Sequence, residues 1–256
     1  MKIAITGKGG VGKSTLVAMM ARVLRDMGKK VTAVDADPDM NLGAILGVPA
    51  DTNITPIIEL KELIADRTGT EVGQSAPFFQ MNPKVDDIPE KYSILYEGIR
   101  LLVMGTVRSG GGGCACPENS FLKNLITHLV ISGDEWVLLD MEAGIEHLGR
   151  GTALGVDHMI VVVEPSRASI DTAHRIEQLS QDINIKKISV VGNKIQDQDE
   201  EQFIRNNIGT IPLSGSLYQS DNIRKINVGT MSIMQLPAET LDPVKNLLTN
   251  IANGSF

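Results

Sequence analysis

Short runs of aliphatic, largely β-branched residues recur along the chain at Lys2–Thr6, Lys30–Val34, Arg100–Met104, Trp136–Asp140, Met159–Val163 and Ile188–Val191. Runs such as Met-Ile-Val-Val-Val carry no polar alternation, so they predict strands covered on both faces rather than a sheet with one wet side. The intervening segments are long enough for helical crossovers, which makes the strands parallel and the connections right-handed. From Lys13 onward, Leu16, Met19, Met20, Val23 and Leu24 return at helical spacing, and Gly28 stands where a helix would end. A second such pattern, Leu241, Val244, Leu247, Leu248 and Ile251, fills Pro237–Asn253 with Lys245 as its single positive charge. That charge is too sparse for a helix lying on a membrane and predicts one packed on the core. The Gly, Pro, Gln and Asn content of Gly69–Tyr96 predicts an irregular insertion within one domain spanning 1–256. The expected fold is a doubly wound, mostly parallel α/β sheet with helices on both faces.

Charge narrows the partners. With 24 Lys and Arg against 31 Asp and Glu, the net charge is −7 and the pI about 5.2, which disfavours a phosphate footprint for nucleic acid. No apolar run approaches the roughly 18 residues of a membrane helix, and the start MKIAITGKGG lacks the apolar stretch of a secretion signal. A cytoplasmic protein without nucleic-acid or membrane contact is expected. Aromatics make up only 4% of a chain with 25 glycines, which points to chemistry carried on backbone-shaped loops.

Gly7–Thr15 spells GKGGVGKST and fits the phosphate-loop pattern G-x-x-x-x-G-K-[ST], set between a predicted strand and a predicted helix. In such a loop Gly9, Gly10, Val11 and Gly12 turn backbone N–H groups toward phosphates, with Ser14 and Thr15 opening the helix. Lys13 neutralises the β and γ oxygens, and the Ser14 hydroxyl can ligate Mg²⁺. Asp35-Ala-Asp37-Pro38-Asp39 follows the second strand, where carboxylates face the nucleotide crevice of a parallel sheet. Read alone, the same cluster is also a helix-capping pattern, as is Asn41 before Leu42. The run Trp136-Val-Leu-Leu-Asp140 ends a hydrophobic strand in an aspartate placed to hold a metal-bound water. The following segment through Gly144 and His147 occupies the place of a second switch. Asn193, late in another strand, places an amide where it can pair with a purine edge, although a turn asparagine gives the same signature. Guanine readers usually carry an aspartate where Gln196 stands, so ATP and ADP are expected over GTP, with Pro212 and Leu213 flanking the ring from the loop after the last strand.

The chain has just two cysteines, Cys114 and Cys116, in a metal-binding candidate loop near 109–117 that reads SGGGGCACP. One residue between them makes a mutual disulfide strained, so they are thiols, small buried side chains or metal ligands. Two thiolates fall short of the four ligands common for structural Zn²⁺ or square-planar Ni²⁺. A two-fold homodimer would bring four, with one Zn²⁺ or Ni²⁺ per dimer on the axis. The four histidines, at 128, 147, 158 and 174, are scattered and read as structural or solvent-facing.

Lys8, directly after the first glycine, gives the loop the deviant KGGVGKS form. Through it the chain resembles, over nearly its whole length, the SIMIBI-type P-loop NTPases that include the nitrogenase iron protein and the septum-site and partition ATPases. That resemblance implies that Lys8 reaches across a dimer interface to the partner's nucleotide. It also implies that Asp37 orients or deprotonates the attacking water, and that Asp35, with Asp39 as a weaker candidate, touches the magnesium water shell. GGGGCACPEN and DMEAGIEHLGRG resemble more narrowly the CooC-type accessory ATPases that insert nickel into carbon monoxide dehydrogenase. This implies a Mg²⁺-dependent ATP hydrolase with Lys8, Lys13 and Asp37 as catalytic residues, a shared Zn²⁺ or Ni²⁺ at the cysteines, and carbon monoxide dehydrogenase as client. Alternatives are a regulatory or positioning switch with no metal cargo, and service to acetyl-CoA synthase or to iron–sulfur assembly.

Overall fold

A computed structural model describes residues 1–70, 80–105, 117–131, 135–143 and 155–254. Its strands are β1 (Lys2–Thr6), β2 (Val31–Ala36), β3 (Ile94–Tyr96), β4 (Ile99–Val103), β5 (Trp136–Met141), β6 (His158–Val163), β7 (Ile188–Ile195) and β8 (Leu213–Tyr218). They form one sheet in the order β3-β4-β2-β5-β1-β6-β7-β8. Every pairing is parallel except the β3–β4 hairpin, whose two-residue turn at Glu97 and Gly98 has φ of 47° and 79°. Two positive φ values are what a tight hairpin turn matched to strand twist requires.

Period two along the strands sorts side chains into two cores. Ile3 and Ile5 of β1 and Ile160 and Val162 of β6 pack with helices α1 (Lys13–Asp26) and α9 (Ala238–Asn253). Ala4, Met159, Val161 and Val163 point the other way, into a core shared with α5 (Pro117–Ile131) and α6 (Arg167–Asp182). Each fully buried Ile or Val contributes about 1.5–3 kcal/mol, and a strand buried on both faces needs such residues at every position. Shorter helices complete the layers: α2 (Leu42–Leu46), α3 (Lys61–Thr68), α4 (Ile88–Tyr92), α7 (Gln198–Asn207) and α8 (Asp221–Asn227). Among the described residues no helix is long and apolar enough to cross a membrane.

The doubly wound sheet and all six expected strands are present, and two more join them. The stretch expected to be irregular is shorter than its composition suggested, because α4 and β3 lie inside it. The other addition, β8, requires a correction. Pro212 and Leu213 do not follow the last strand; Leu213 opens β8 opposite Val190, at the amino end of the sheet and away from the crevice.

At that same amino end, His158 is 1% exposed, and its Nε2 lies 2.8 Å from the Ser189 hydroxyl, itself 2.9 Å from Ser214 Oγ. Burial, with a smaller push from the Lys187 charge, holds the imidazole down at about 4. The folded chain therefore refuses a proton that the unfolded chain accepts near 6.5. Stability should fall as pH drops from 6.5 to 4 and then level off, a change of roughly 1–3 kcal/mol from this group. Urea titrations across that window should show a shallower pH slope for His158→Gln than for wild type; equal slopes would remove His158 as the cause.

Candidate active site

The carboxyl ends of β2, β5, β1, β6 and β7 lie side by side and deliver the site. The loop from β1 to α1 needs glycine at two points where the backbone is both left-handed and crowded. A Cβ on Gly7 (φ 145°) would meet the Val162 carbonyl, and one on Gly12 (φ 99°) would meet the Asn193 amide. Gly12 caps α1 with no side-chain hydrogen bond, and the first turn holds no acidic residue. The helix N-terminus thus keeps its N–H groups and partial positive charge for an anion.

Lys13 is 7% exposed, with its ammonium 3.2 Å from Asp37 Oδ2. Asp37 Oδ1 accepts from the backbone N–H of Asp39 at 3.1 Å. Asp35 is fully buried, and its two oxygens accept from the N–H groups of Asp37 (3.3 Å) and Leu42 (3.0 Å). Burial lifts its pKa to about 6, against the pull of those two bonds. Its carboxylate therefore brackets the turn after β2 and stands behind the cavity wall, not on it. Asp140 is fully buried with neither oxygen hydrogen-bonded among the described residues. Desolvation first, then the charges of Asp35 and Asp37, raise it to about 7, while Ser14 and Lys13 pull it down. Two orphaned carboxylate oxygens beside a phosphate-loop serine fit a hydrated divalent cation: Mg²⁺ would supply both charge and water donors, with Ser14 as direct ligand.

A cavity of about 1090 Å³ is lined by Gly9, Gly10, Gly12, Lys13, Ser14, Thr15, Asp37, Asp39 and Asn193, with Asp35 and Asp140 buried behind that lining. A side chamber of about 310 Å³ adjoins it, walled by Leu16, Met19, Leu217, Ile223 and Pro243, and shares Asn193 and Tyr218 with the main cavity. Lys8 is half-buried on the loop and does not line the cavity; its carbonyl accepts from Val11 N–H at 3.4 Å. Pro212 and Leu213 are likewise absent from the lining. Cys114, Cys116, Gly144 and His147 lie outside the described residues.

The cavity's far wall holds Glu142, which lies in the expected second-switch segment after β5, together with residues that sequence reading missed: Tyr218 to Asp221, where β8 passes into α8, and Arg224 and Asn227 of α8. Asn227 Oδ1 accepts from the Thr15 hydroxyl at 3.3 Å, tying α8 to the phosphate loop. The available signal was a Gln-Ser-Asp run following a weak strand pattern.

A profile for the CobQ/CobB/MinD/ParA nucleotide-binding domain matches residues 2–232. The chain belongs to this family. Within it the chain is of the CooC type: the carbon monoxide dehydrogenase accessory protein CooC of Rhodospirillum rubrum is 43% identical over 250 residues, covering 97% of this chain and 95% of that protein. An uncharacterized ATP-binding protein of Methanocaldococcus jannaschii is 38% identical, covering 99% of both chains. Among solved structures, MinD in the MinC:MinD cell division complex of Aquifex aeolicus matches with a TM-score of 0.71 at 21% identity, covering 100% of this chain and 97% of that one. MinD of Pyrococcus horikoshii, solved with Mg-ADP, matches at 0.67 and 19% identity, covering 98% and 96%. These two likenesses establish the fold. The CooC-type chain is an accessory ATPase.

In this CooC-type ATPase the Asn193 amide has a defined orientation. Its Nδ2 donates to the Val11 carbonyl at 2.7 Å, which turns Oδ1 away from the loop as an acceptor.

Proposed function

We propose that this CooC-type ATPase works as a two-fold dimer that spends ATP on assembling a metal centre, and that its client is carbon monoxide dehydrogenase receiving nickel. One observation carries the reading: 43% identity, over 97% of the chain, to a protein named for that accessory role. The cavity supplies the chemistry it needs. Gly9 to Gly12 and Lys13 would take the phosphates, and Ser14, with Asp140 and Asp35 buried behind it, would hold Mg²⁺, which would supply positive charge to the phosphates. Asp37 orients and deprotonates the attacking water, and Lys8 crosses to the partner's nucleotide, adding charge where it develops in the transition state. Cys114 and Cys116 of two chains share one Zn²⁺ or Ni²⁺.

The base enters the side chamber with Asn193 at its edge. With Nδ2 committed to Val11, Oδ1 accepts from adenine's 6-amino group, whereas guanine would present a second acceptor there. In competition titrations ATP should bind about tenfold tighter than GTP, the worth of one such hydrogen bond. Equal or better GTP binding would overturn the base assignment.

The decisive test combines nickel-free carbon monoxide dehydrogenase, Ni²⁺, MgATP and this protein. Activation should exceed that by Ni²⁺ alone, and Lys13→Ala should lose the excess. If Lys13→Ala activates as well as wild type, or wild type adds nothing, the accessory role for this client is wrong.

A further inference from the structure

Where β7 ends, two consecutive side chains fold back onto the outer rim of the phosphate loop. Asn193 holds the Val11 carbonyl, and Lys194 Nζ donates to the Gly10 carbonyl at 2.6 Å. The same ammonium lies 3.5 Å from Glu164 Oε2, on the residue that follows β6. To make this reach Lys194 adopts φ of 59°, a left-handed conformation that a lysine avoids unless its surroundings hold it there. Gly10 is exposed, at φ 80°, and has no side chain of its own to anchor the loop's tip. In a trans peptide the carbonyl and the following N–H point in opposite directions. Holding the carbonyls of residues 10 and 11 outward therefore turns the N–H groups of Val11 and Gly12 away from Asn193 and Lys194; the Val11 N–H is taken by the Lys8 carbonyl at 3.4 Å, which closes the turn, and the Gly12 N–H is left facing the loop.

We propose that Lys194, anchored by Glu164, is a positioning residue: it fixes the Gly10–Val11 peptide so that the loop is already shaped for phosphate before the nucleotide arrives. This rests on the reading of the loop as ATP's phosphate cradle. Lys194 also lines the cavity, but its ammonium is engaged by the Gly10 carbonyl and Glu164, so the role assigned to it runs through the loop. Its effect is on binding, because a loop left free must be ordered at the expense of affinity. The interaction is charge-assisted, but the Lys194 side chain is 43% exposed and water screens it, so its loss should resemble that of a neutral hydrogen bond.

Lys194→Met keeps the aliphatic stem and removes the ammonium. Its KM for ATP and its Kd for ADP should rise about tenfold with kcat nearly unchanged, the pattern of lost uniform binding. Weak adenosine binding, followed by NMR, should be unaltered, because adenosine carries no phosphate. Lys194→Arg should recover most of the ADP affinity, and Glu164→Gln, which leaves the lysine in place, should lose part of it with wild-type melting. The proposal is overturned if Lys194→Met binds ADP as wild type does, if adenosine weakens in step with ADP, or if kcat falls at constant KM. A wild-type protein that bound adenosine but gained nothing from ADP's phosphates would overturn the cradle reading itself.

Discussion

Replacing Asp37 with asparagine should lower ATP turnover by about 100- to 10,000-fold, the range for losing a positioned general base. The substitution is nearly isosteric, and its side-chain oxygen can still accept from the Asp39 N–H that Asp37 Oδ1 holds at 3.1 Å. The turn after β2 should therefore stand. What disappears is the negative charge 3.2 Å from the Lys13 ammonium. Lys13 then gives its whole charge to phosphate, and a carboxylate that would repel the γ oxygens is gone, so MgATP affinity should hold or rise. Phosphate-release kinetics and equilibrium nucleotide binding separate the two effects. In sedimentation the variant should accumulate as an ATP-loaded dimer. If turnover is unchanged, Asp37 serves only as the partner of Lys13, and the water is activated elsewhere.

The parts of this site that could be read from the sequence are those whose chemistry is local. The phosphate loop needs glycine, lysine and serine at fixed spacing between one strand and one helix, and Gly7–Thr15 shows all of it in nine consecutive residues. Asp140 stands out because a strand buried on both faces is written in aliphatic residues, so a carboxylate at its end is conspicuous. In contrast, β8 reads Leu-Ser-Gly-Ser-Leu-Tyr and is mostly half-buried, so neither periodicity nor β-branching marks it. Losing that strand displaced the expected base-flanking residues to Pro212 and Leu213, a strand's length from the loop that lines the cavity. The side chamber draws on α1, β7, β8, α8 and α9, whose contributing residues run from Thr15 to Pro243. No local pattern encodes a wall assembled from such distant segments. Nor does sequence reveal that Asn193 donates to Val11, or that Asp35 holds the N–H of Leu42; both are facts of packing that alter what each side chain has left for a ligand.

Replacing either Cys114 or Cys116 should abolish tight binding of Zn²⁺ or Ni²⁺ and the association of chains that the metal drives. The argument is one of ligand supply. Each chain holds two cysteines, separated by one residue, and a four-thiolate site needs two chains, so wild type should bind one metal per dimer. Losing one thiolate per chain leaves two of four ligands at the axis. Thiolates bind the metal only after losing their protons, so affinity should fall as pH is lowered and each equivalent bound should release protons. Nucleotide binding should survive in Cys114→Ala and Cys116→Ala. The phosphate loop is built between β1 and α1, and the core beneath it is assembled from Ile3, Ile5, Leu16, Val162 and their neighbours. If Lys8 makes the proposed contact across the two-fold axis, association in ATP should persist when association in metal does not. Client activation would fail in both variants if the bound metal is the cargo, and would persist if it only staples the dimer. Metal analysis, calorimetry and sedimentation on wild type and the two variants measure each of these quantities separately. A tight site at one metal per chain, or metal-driven dimers that survive in both alanine variants, would eliminate the shared site and leave the cysteines as small apolar side chains.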